Sequence, residues 1–295
     1  MKKVYSLFFS LCLFCLFFIP INRVSFAQSS EPLNLDWVKA DLTGVETIVK
    51  MTPIEGQDLS KLKMDLEGSW SIDDDNLGFG GHKIRFGKGF GYTSVYLDAL
   101  TFNGKTAIYE ISVHGANESP SMRKQIIETW TRSGGPAFRE DEDKLYSHGR
   151  FDTVFEAYCR AVASELGEMQ AVDVPVDIKK AYEYLISPMK NSRVGMGICG
   201  LGGPILEGKT SIDALVKAGR MDLIENVLRG YNPGGRVFAA IALLKMEERG
   251  VKLAPEVKKT IEKVRALDVP ITTCSGCIVK SGLKAKDVIT TFAKK

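Results

Sequence analysis

The hydrophobic pattern of this chain changes near residue 120, and that change constrains the fold more than any other feature. Residues 45–115 contain short runs rich in β-branched and aromatic residues, separated by Asp, Asn and Gly, which is typical of strands. From about residue 150 onward, apolar residues recur every three or four positions, which indicates helices. The sequence therefore predicts an α+β protein, in which a small antiparallel β-sheet with a covering helix is followed by an all-α region.

The strongest strand signal is a predicted hairpin. Residues 93–102 and 105–114 are rich in Val, Ile, Tyr, Phe and Thr, and they flank Asn103 and Gly104. An Asn-Gly pair supplies the two positive φ angles of a type I′ turn. Companion strands, giving about five in all, are predicted over residues 45–50, 63–72 and 83–86, and the acidic run 73–76 is predicted to be a solvated turn.

A helix is predicted to close this first region. Ser119 suits the N-cap and Pro120 the first helical position, and an apolar residue then recurs every fourth position, at Met122, Ile126 and Trp130. The glycines, proline and charges that follow predict a linker over residues 135–149. The predicted organisation is a β-rich region over 28–134, this linker, and a helical region over 150–295 that ends in a CxxC tail.

The helical region is predicted to contain antiparallel neighbours joined by short connections. The expected helices are 151–166, one starting at Asp177, 211–229 with a break at Gly219, 235–249 and 255–267. Helix 235–249 is apolar around most of its circumference, so it is expected to lie inside the layer. Over residues 211–267 this pattern resembles the helical-hairpin stacks of HEAT and armadillo proteins, and the resemblance implies an architecture that offers grooves for partners.

Residues 1–27 have the pattern of an export signal. Lys2 and Lys3 precede an apolar run over 4–21, and Ser25-Phe26-Ala27 places small residues where a signal peptidase reads them. Cleavage is expected between Ala27 and Gln28, giving a periplasmic or secreted product with no stable membrane insertion. The alternative is an uncleaved anchor.

Removal of this segment changes the charge balance. The whole chain has 39 basic and 36 acidic residues, and residues 1–27 hold three of the basic ones and no acidic one. The formal net charge of +3 therefore falls to zero. No general electrostatic argument remains for nucleic acid as a partner.

Four cysteines lie outside the predicted signal. An even number in an exported chain predicts two disulfides, and the expected pairs are Cys274–Cys277 and Cys159–Cys199. The alternative is that Cys159 and Cys199 are buried free thiols. Because these four cysteines include a single CxxC and no second compact pair, no zinc site is predicted.

Two further patterns are weighed against simpler interpretations. Residues 203–210 match the letters of a phosphate loop, but no apolar strand precedes them, so a flexible loop is predicted in which Thr210 or Ser211 caps the next helix. His82, His114 and His148 are predicted to be unrelated turn residues. The alternative is that two of them meet at one end of the sheet and bind a metal or move protons. No cofactor or metal is predicted.

These patterns favour a protein without catalytic activity. The chain has neither a His-Glu-x-x-His nor a Gly-x-Ser-x-Gly motif. The leading hypothesis is a binding or protein-interaction module of the cell envelope, with a protein or small ligand as partner. The alternative is a secreted enzyme, either a thiol–disulfide oxidoreductase using Cys274 and Cys277 or a hydrolase whose site is unrecognised.

Overall fold

A six-stranded antiparallel sheet is built from the first half of the chain. The computed structural model describes residues 34–115, 119–141 and 144–294. The strands follow the order β1-β2-β3-β4-β6-β5. Their bounds are Ser71–Gly78 (β1), Gly81–Gly89 (β2), Ser94–Phe102 (β3), Lys105–His114 (β4), Arg139–Glu140 (β5) and Lys144–Arg150 (β6). Residues 135–149, predicted as a linker, instead contain β5 and most of β6, and β6 pairs with β4.

The predicted hairpin is confirmed as β3 and β4. Asn103 and Gly104 connect the strands with φ angles of +48° and +81°. Val95 lies opposite Val113, and Leu97 lies opposite Ile111, all four buried. Side chains alternate between the two faces of a sheet, so these apolar side chains share one face, and that face packs in the core as the sequence pattern predicted.

The acidic run predicted as a turn is instead part of the edge strand β1. Asp73 lies opposite Arg85, and Asp75 lies opposite Lys83 on β2. Opposite charges at facing positions each stabilise a sheet by about 0.2–1 kcal/mol. The cross-strand partners thus make a strand from residues whose intrinsic preference is for turns.

Three helices accompany the sheet. They are α1 (Leu35–Lys50), α2 (Ser60–Leu66) and α3 (Pro120–Arg132). Helix α1 packs on β3, β4 and α3. The strands predicted over 45–50 and 63–72 are therefore wrong, because the first lies in α1 and the second spans α2 and the start of β1. The prediction for α3 is confirmed, since the Ser119 hydroxyl accepts a hydrogen bond from the Met122 amide and the apolar stripe is buried.

Buried Asp41 fixes α1 to the turn between β2 and β3. Its carboxylate accepts hydrogen bonds from the amide of Tyr92 at 3.1 Å and from the amide and hydroxyl of Thr93 at 2.9 and 2.7 Å. A carboxylate can be buried when hydrogen bonds of this kind replace its water. This contact links the first helix to the sheet.

The second half of the chain is helical up to residue 266 and ends in a hairpin and a helix. The elements are α4 (Asp152–Leu166), α5 (Val176–Ile186), α6 (Glu207–Lys217), α7 (Met221–Leu228), α8 (Pro233–Glu248), α9 (Pro255–Ala266), β7 (Pro270–Ser275), β8 (Ile278–Lys284) and α10 (Ala285–Ala293). The predicted α+β class is therefore confirmed. Helix α8 contacts α5, α6, α7, α9 and α10, so its predicted central position is also confirmed.

The sheet and the helices share contacts within one compact unit. Helix α4 packs against β3 and β4, and Leu77, Leu100 and Ala107 of the sheet join the apolar core of the helical region. Arg236 of α8 is also buried at this boundary, and its guanidinium donates to the carbonyl oxygens of Gly230 and Leu77. The helical region and the end of β1 are therefore held together by both apolar and polar contacts.

Candidate functional site: a disulfide-linked apolar surface

The disulfide of this structure joins Cys199 to Cys274, with their Cα atoms 5.5 Å apart. Both predicted pairs are therefore wrong, and Cys159 and Cys277 are free thiols. Cys274 lies in β7, where its register partner is Val279, whereas Cys277 lies in the tight turn before β8. Hairpin pairing, which depends on residues 270–284 together, overrides the closeness of Cys274 and Cys277 in sequence.

The other predicted disulfide residue, Cys159, lies on α4 and is half-buried. Burial raises the pKa of its thiol, and a hydrogen bond with Tyr231 lowers that pKa by a smaller amount. A thiol with a raised pKa carries little thiolate and reacts slowly. Cys159 is therefore a packing residue, in agreement with the free-thiol alternative for this position.

The disulfide fastens a glycine-rich loop, residues 195–206, to β7. Backbone hydrogen bonds run from Cys274 N to Val194 O at 2.9 Å and from Gly200 N to Gly276 O at 2.7 Å. A Cβ at Gly195 would lie 2.2 Å from the Cys274 carbonyl oxygen, so this approach requires glycine. The loop thus forms short parallel bridges along one edge of β7.

Five large apolar residues are exposed on this loop and at the start of β8, and we call them the apolar surface. These five residues are Ile198, Leu201, Ile205, Ile278 and Val279. The part of the chain that the structure describes has ten exposed large hydrophobic residues, so half of them are in this set. Leu201 is 94% exposed. Because exposed apolar residues are normally scattered, this concentration marks a candidate binding surface.

Strand β8 is the free edge beside this surface. Among the described residues it pairs with β7 alone, and residues 278–282 are exposed on both of its faces. Lys280 and Lys284 lie on the strand and form no ion pair within that part of the chain. An unpaired edge strand presents backbone donors and acceptors that a second chain can use.

The sequence analysis missed this surface, although a signal for it is present. The segments 269–273 and 278–279 are rich in β-branched residues and flank Ser275-Gly276, which is a hairpin pattern. The residues after 267 were instead predicted to be a tail containing the CxxC. The loop that lies beside the hairpin is set by the pairing of Cys199, and cysteine spacing does not determine that pairing.

The phosphate-loop letters at residues 203–210 have a structural explanation. Helix α6 already begins at Glu207, so Thr210 and Ser211 lie within it and the capping prediction is wrong. Lys209 forms an ion pair with Asp213 one turn along the helix. A Cβ at Gly208 would lie 2.7 Å from the Phe238 ring, so this glycine allows α6 to approach α8. These contacts place the motif in helix packing.

The three histidines lie apart on the sheet. His82 on β2 hydrogen-bonds Asp74, while His114 at the end of β4 hydrogen-bonds Ser112, and His148 on β6 faces Glu110. No group of three or more potential ligands is arranged for a metal ion in residues 34–115, 119–141 and 144–294. The structure therefore does not bring two histidines into one site.

The Ala27–Gln28 cleavage site lies outside the described residues, and so does the predicted signal. Within the described ranges, no helix has both the length and the apolar character needed to cross a membrane. Comparison of the chain with protein-family models, curated proteins and solved structures gave no match.

Proposed function

We propose that this protein is a non-catalytic protein-interaction module of the cell envelope. In this proposal the chain is exported by residues 1–27, and its helical hairpins, in a HEAT-like arrangement, support the loop and the β-hairpin that carry the binding surface. The observation that carries the proposal is the apolar surface beside the free edge of β8. The partner is an extended polypeptide segment that adds as a strand to β8.

Two features of β8 support a polypeptide partner. The free edge supplies backbone hydrogen bonds, which give affinity to any extended chain, and Ile278 and Val279 add apolar contact area. The disulfide and the bridges from residues 194–200 hold the other edge of β7, so little ordering is needed on binding. A pre-organised edge costs less conformational entropy than a mobile one.

The charge of β8 favours an acidic partner over a second copy of this chain. In an antiparallel pair of two β8 edges centred on Gly282, Lys280 would face Lys284 of the other copy, and facing like charges destabilise a sheet. Acidic residues in the partner strand would instead attract them. Lysines on an edge also limit aggregation, so they serve solubility and selectivity together.

Site-specific photo-crosslinking in cells tests the proposal. A photoreactive residue replaces Leu201, which is 94% exposed in the apolar surface, or Val176, which is 90% exposed at the start of α5 and serves as the matched control. We expect a discrete crosslinked protein from position 201 and none from position 176. Equal crosslinking at both positions would contradict a localised surface.

Binding of synthetic peptides then tests the strand addition. Peptides of alternating apolar and acidic residues should bind the purified protein, and Lys280→Glu with Lys284→Glu should weaken binding about tenfold or more, in proportion to lost charge pairing. Methylating alternate backbone amides of the peptide on one edge should abolish binding. Binding that survives this methylation would rule out strand addition.

A thiol–disulfide exchange activity is the second candidate, and the exposed Cys277 favours it. Cys277 lies three residues after Cys274 in the chain, and Cys274 is one half of the Cys199–Cys274 bond. Attack of the Cys277 thiolate on Cys274 Sγ would form a Cys274–Cys277 bond and release Cys199 as thiolate, with no net oxidation. Neither member of this CxxC lies at a helix N-terminus, unlike in thioredoxin-like enzymes.

Mapping of the disulfide after mild thiol treatment separates the two candidates. An exchange enzyme would give both the Cys199–Cys274 and the Cys274–Cys277 linkages and would isomerise a scrambled substrate, and Cys277→Ser would remove both properties. The interaction module we propose keeps one linkage. If the parent protein has isomerase activity and Cys277→Ser lacks it, the exchange enzyme replaces the interaction module as the leading candidate.

A further inference from the structure

A cavity between α6 and α8 has the composition of a ligand site. Its volume is about 240 Å³. Seven apolar residues form most of the lining: Met196, Ile212, Val216, Phe238, Ile241, Ala242 and Met246. An apolar cavity of about 150 Å³ is enough to take up benzene, so this one has room for roughly eight water-sized heavy atoms.

The lining follows one stripe on each helix. On α8, residues 238, 241, 242, 245, 246 and 249 recur at steps of three and four, which places them on a single face. On α6, Lys209, Ile212, Asp213 and Val216 do the same. The small side chain of Ala242 leaves the space open, and Met196 and Met246 supply flexible walls that adapt to a ligand.

The charged residues of the cavity leave two cations without a partner. Lys209 is neutralised by Asp213. Lys245 and Arg249 also line the cavity, and neither forms an ion pair within the described ranges. They lie four residues apart, Lys245 in the last turn of α8 and Arg249 at its C-cap, and like charges at this spacing repel each other. An anion bound between them would relieve this repulsion.

From these observations we propose that the cavity binds a medium-chain amphipathic anion, with one anionic headgroup between Lys245 and Arg249 and an alkyl chain of about eight carbons on the apolar lining. The charge complementarity selects the headgroup, and the volume limits the chain. This site does not use β8, so the proposal stands independently of the interaction surface.

Titration with octanoate tests the proposal. The probe is the NMR signals of isotope-labelled methionine methyl groups, because Met196 and Met246 line the cavity while Met51 and Met122 are buried in the first region. We expect saturable shifts of the two cavity methionines alone. Affinity should rise about fourfold for each methylene added up to the eight-carbon chain, and then level off.

Headgroup and charge controls sharpen the test. Octanol, with the same chain and no charge, should bind about tenfold more weakly, and Lys245→Gln with Arg249→Gln should weaken octanoate by a similar factor without affecting octanol. Lys252→Gln, an exposed lysine outside the cavity, is the matched control and should change neither affinity. Ala242→Leu should reduce binding of both ligands by filling the cavity.

Any of three results with the soluble ligands would overturn the proposal. These are octanoate leaving the two cavity methionines unshifted, octanol binding as tightly as octanoate, and the double variant binding octanoate normally. Vesicles of phosphatidylglycerol distinguish a free amphiphile from a membrane lipid. Vesicle binding that depends on Lys245 would overturn our assignment of a free ligand, and we expect none.

Discussion

Replacing Arg236 should separate the contribution of its buried charge from that of its apolar stem. The residue is 1% exposed, its Nε donates to the Gly230 carbonyl oxygen at 2.7 Å, and its Nη1 donates to the Leu77 carbonyl oxygen at 2.9 Å. The guanidinium also lies 4.9 Å from the centre of the Phe79 ring. Burial lowers the pKa of this guanidinium, which means that its charged form is costly here.

Arg236→Met keeps most of the stem and removes the charge. It leaves two carbonyl oxygens without their donors, at about 1–3 kcal/mol each, and it removes the desolvation cost of the charge, which offsets part of that loss. We expect the free energy of unfolding to fall by about 2–3 kcal/mol. Arg236→Ala also loses the buried stem and should cost about 4–5 kcal/mol.

Urea denaturation followed by circular dichroism measures these differences. Arg160→Met is the matched control, because its side chain is 72% exposed and its contact with Glu156 is a surface pair at 3.8 Å. It should change stability by less than about 0.5 kcal/mol. An Arg236→Met variant as stable as the parent would refute the reasoning, because the two carbonyl bonds would then contribute no more than the desolvation costs.

Three further predictions concern other parts of the chain. In the native protein, thiol reagents should label Cys277 quickly and Cys159 only slowly, and rapid labelling of both thiols would contradict the observed burial of Cys159. Reducing the disulfide should lower the free energy of unfolding by about 2–4 kcal/mol. Asp41→Ala should cost about 3 kcal/mol in urea denaturation, since it leaves buried donors unpaired, and a loss below about 1 kcal/mol would contradict this account. Burial raises the pKa of Asp74, but hydrogen bonds from Lys63 and His82 outweigh this and hold it below 3.8. Its stabilising effect is therefore present above that pH and lost as the pH falls through the lowered pKa. In an NMR titration Lys63→Ala should raise the Asp74 pKa, and an unchanged value would contradict this assignment.

Local signals predicted the parts of the fold whose cause is local. Asn103-Gly104 determines its own turn, and Ser119-Pro120 starts its own helix, so both predictions are confirmed. The strand predicted over residues 45–50 is wrong because Val45, Ile48 and Val49 favour strands by intrinsic propensity. In the structure, their burial follows the helical spacing of α1. The turn predicted over residues 73–76 is wrong for a similar reason. These residues form a strand because residues on β2 compensate their charges.

The candidate surface was less predictable than the fold, because it depends on contacts between distant segments. Residues 195–206 alone have the pattern of a glycine-rich connection, and the hairpin pattern of residues 270–284 does not indicate which segment lies beside it. The Cys199–Cys274 bond, across 75 residues of sequence, and the backbone hydrogen bonds beside it bring the two segments together. The sequence analysis predicted disulfides for all four cysteines, whereas the structure joins Cys199 to Cys274 and leaves Cys159 and Cys277 free, since spacing alone does not determine connectivity.

The disulfide also explains how an exposed apolar surface can persist in a folded protein. Ile198, Leu201 and Ile205 lie on a loop whose glycines give it wide conformational freedom when it is not fastened. An unfastened loop would gain by turning these residues against other apolar surface, at about 25 cal/mol for each Å² removed from water. The bond to Cys274 and the hydrogen bonds to Gly276 oppose that collapse by fixing the loop backbone along β7. The cross-link and these hydrogen bonds therefore help to keep the three loop residues exposed, and this ties the binding function we propose to the oxidised state of Cys199 and Cys274.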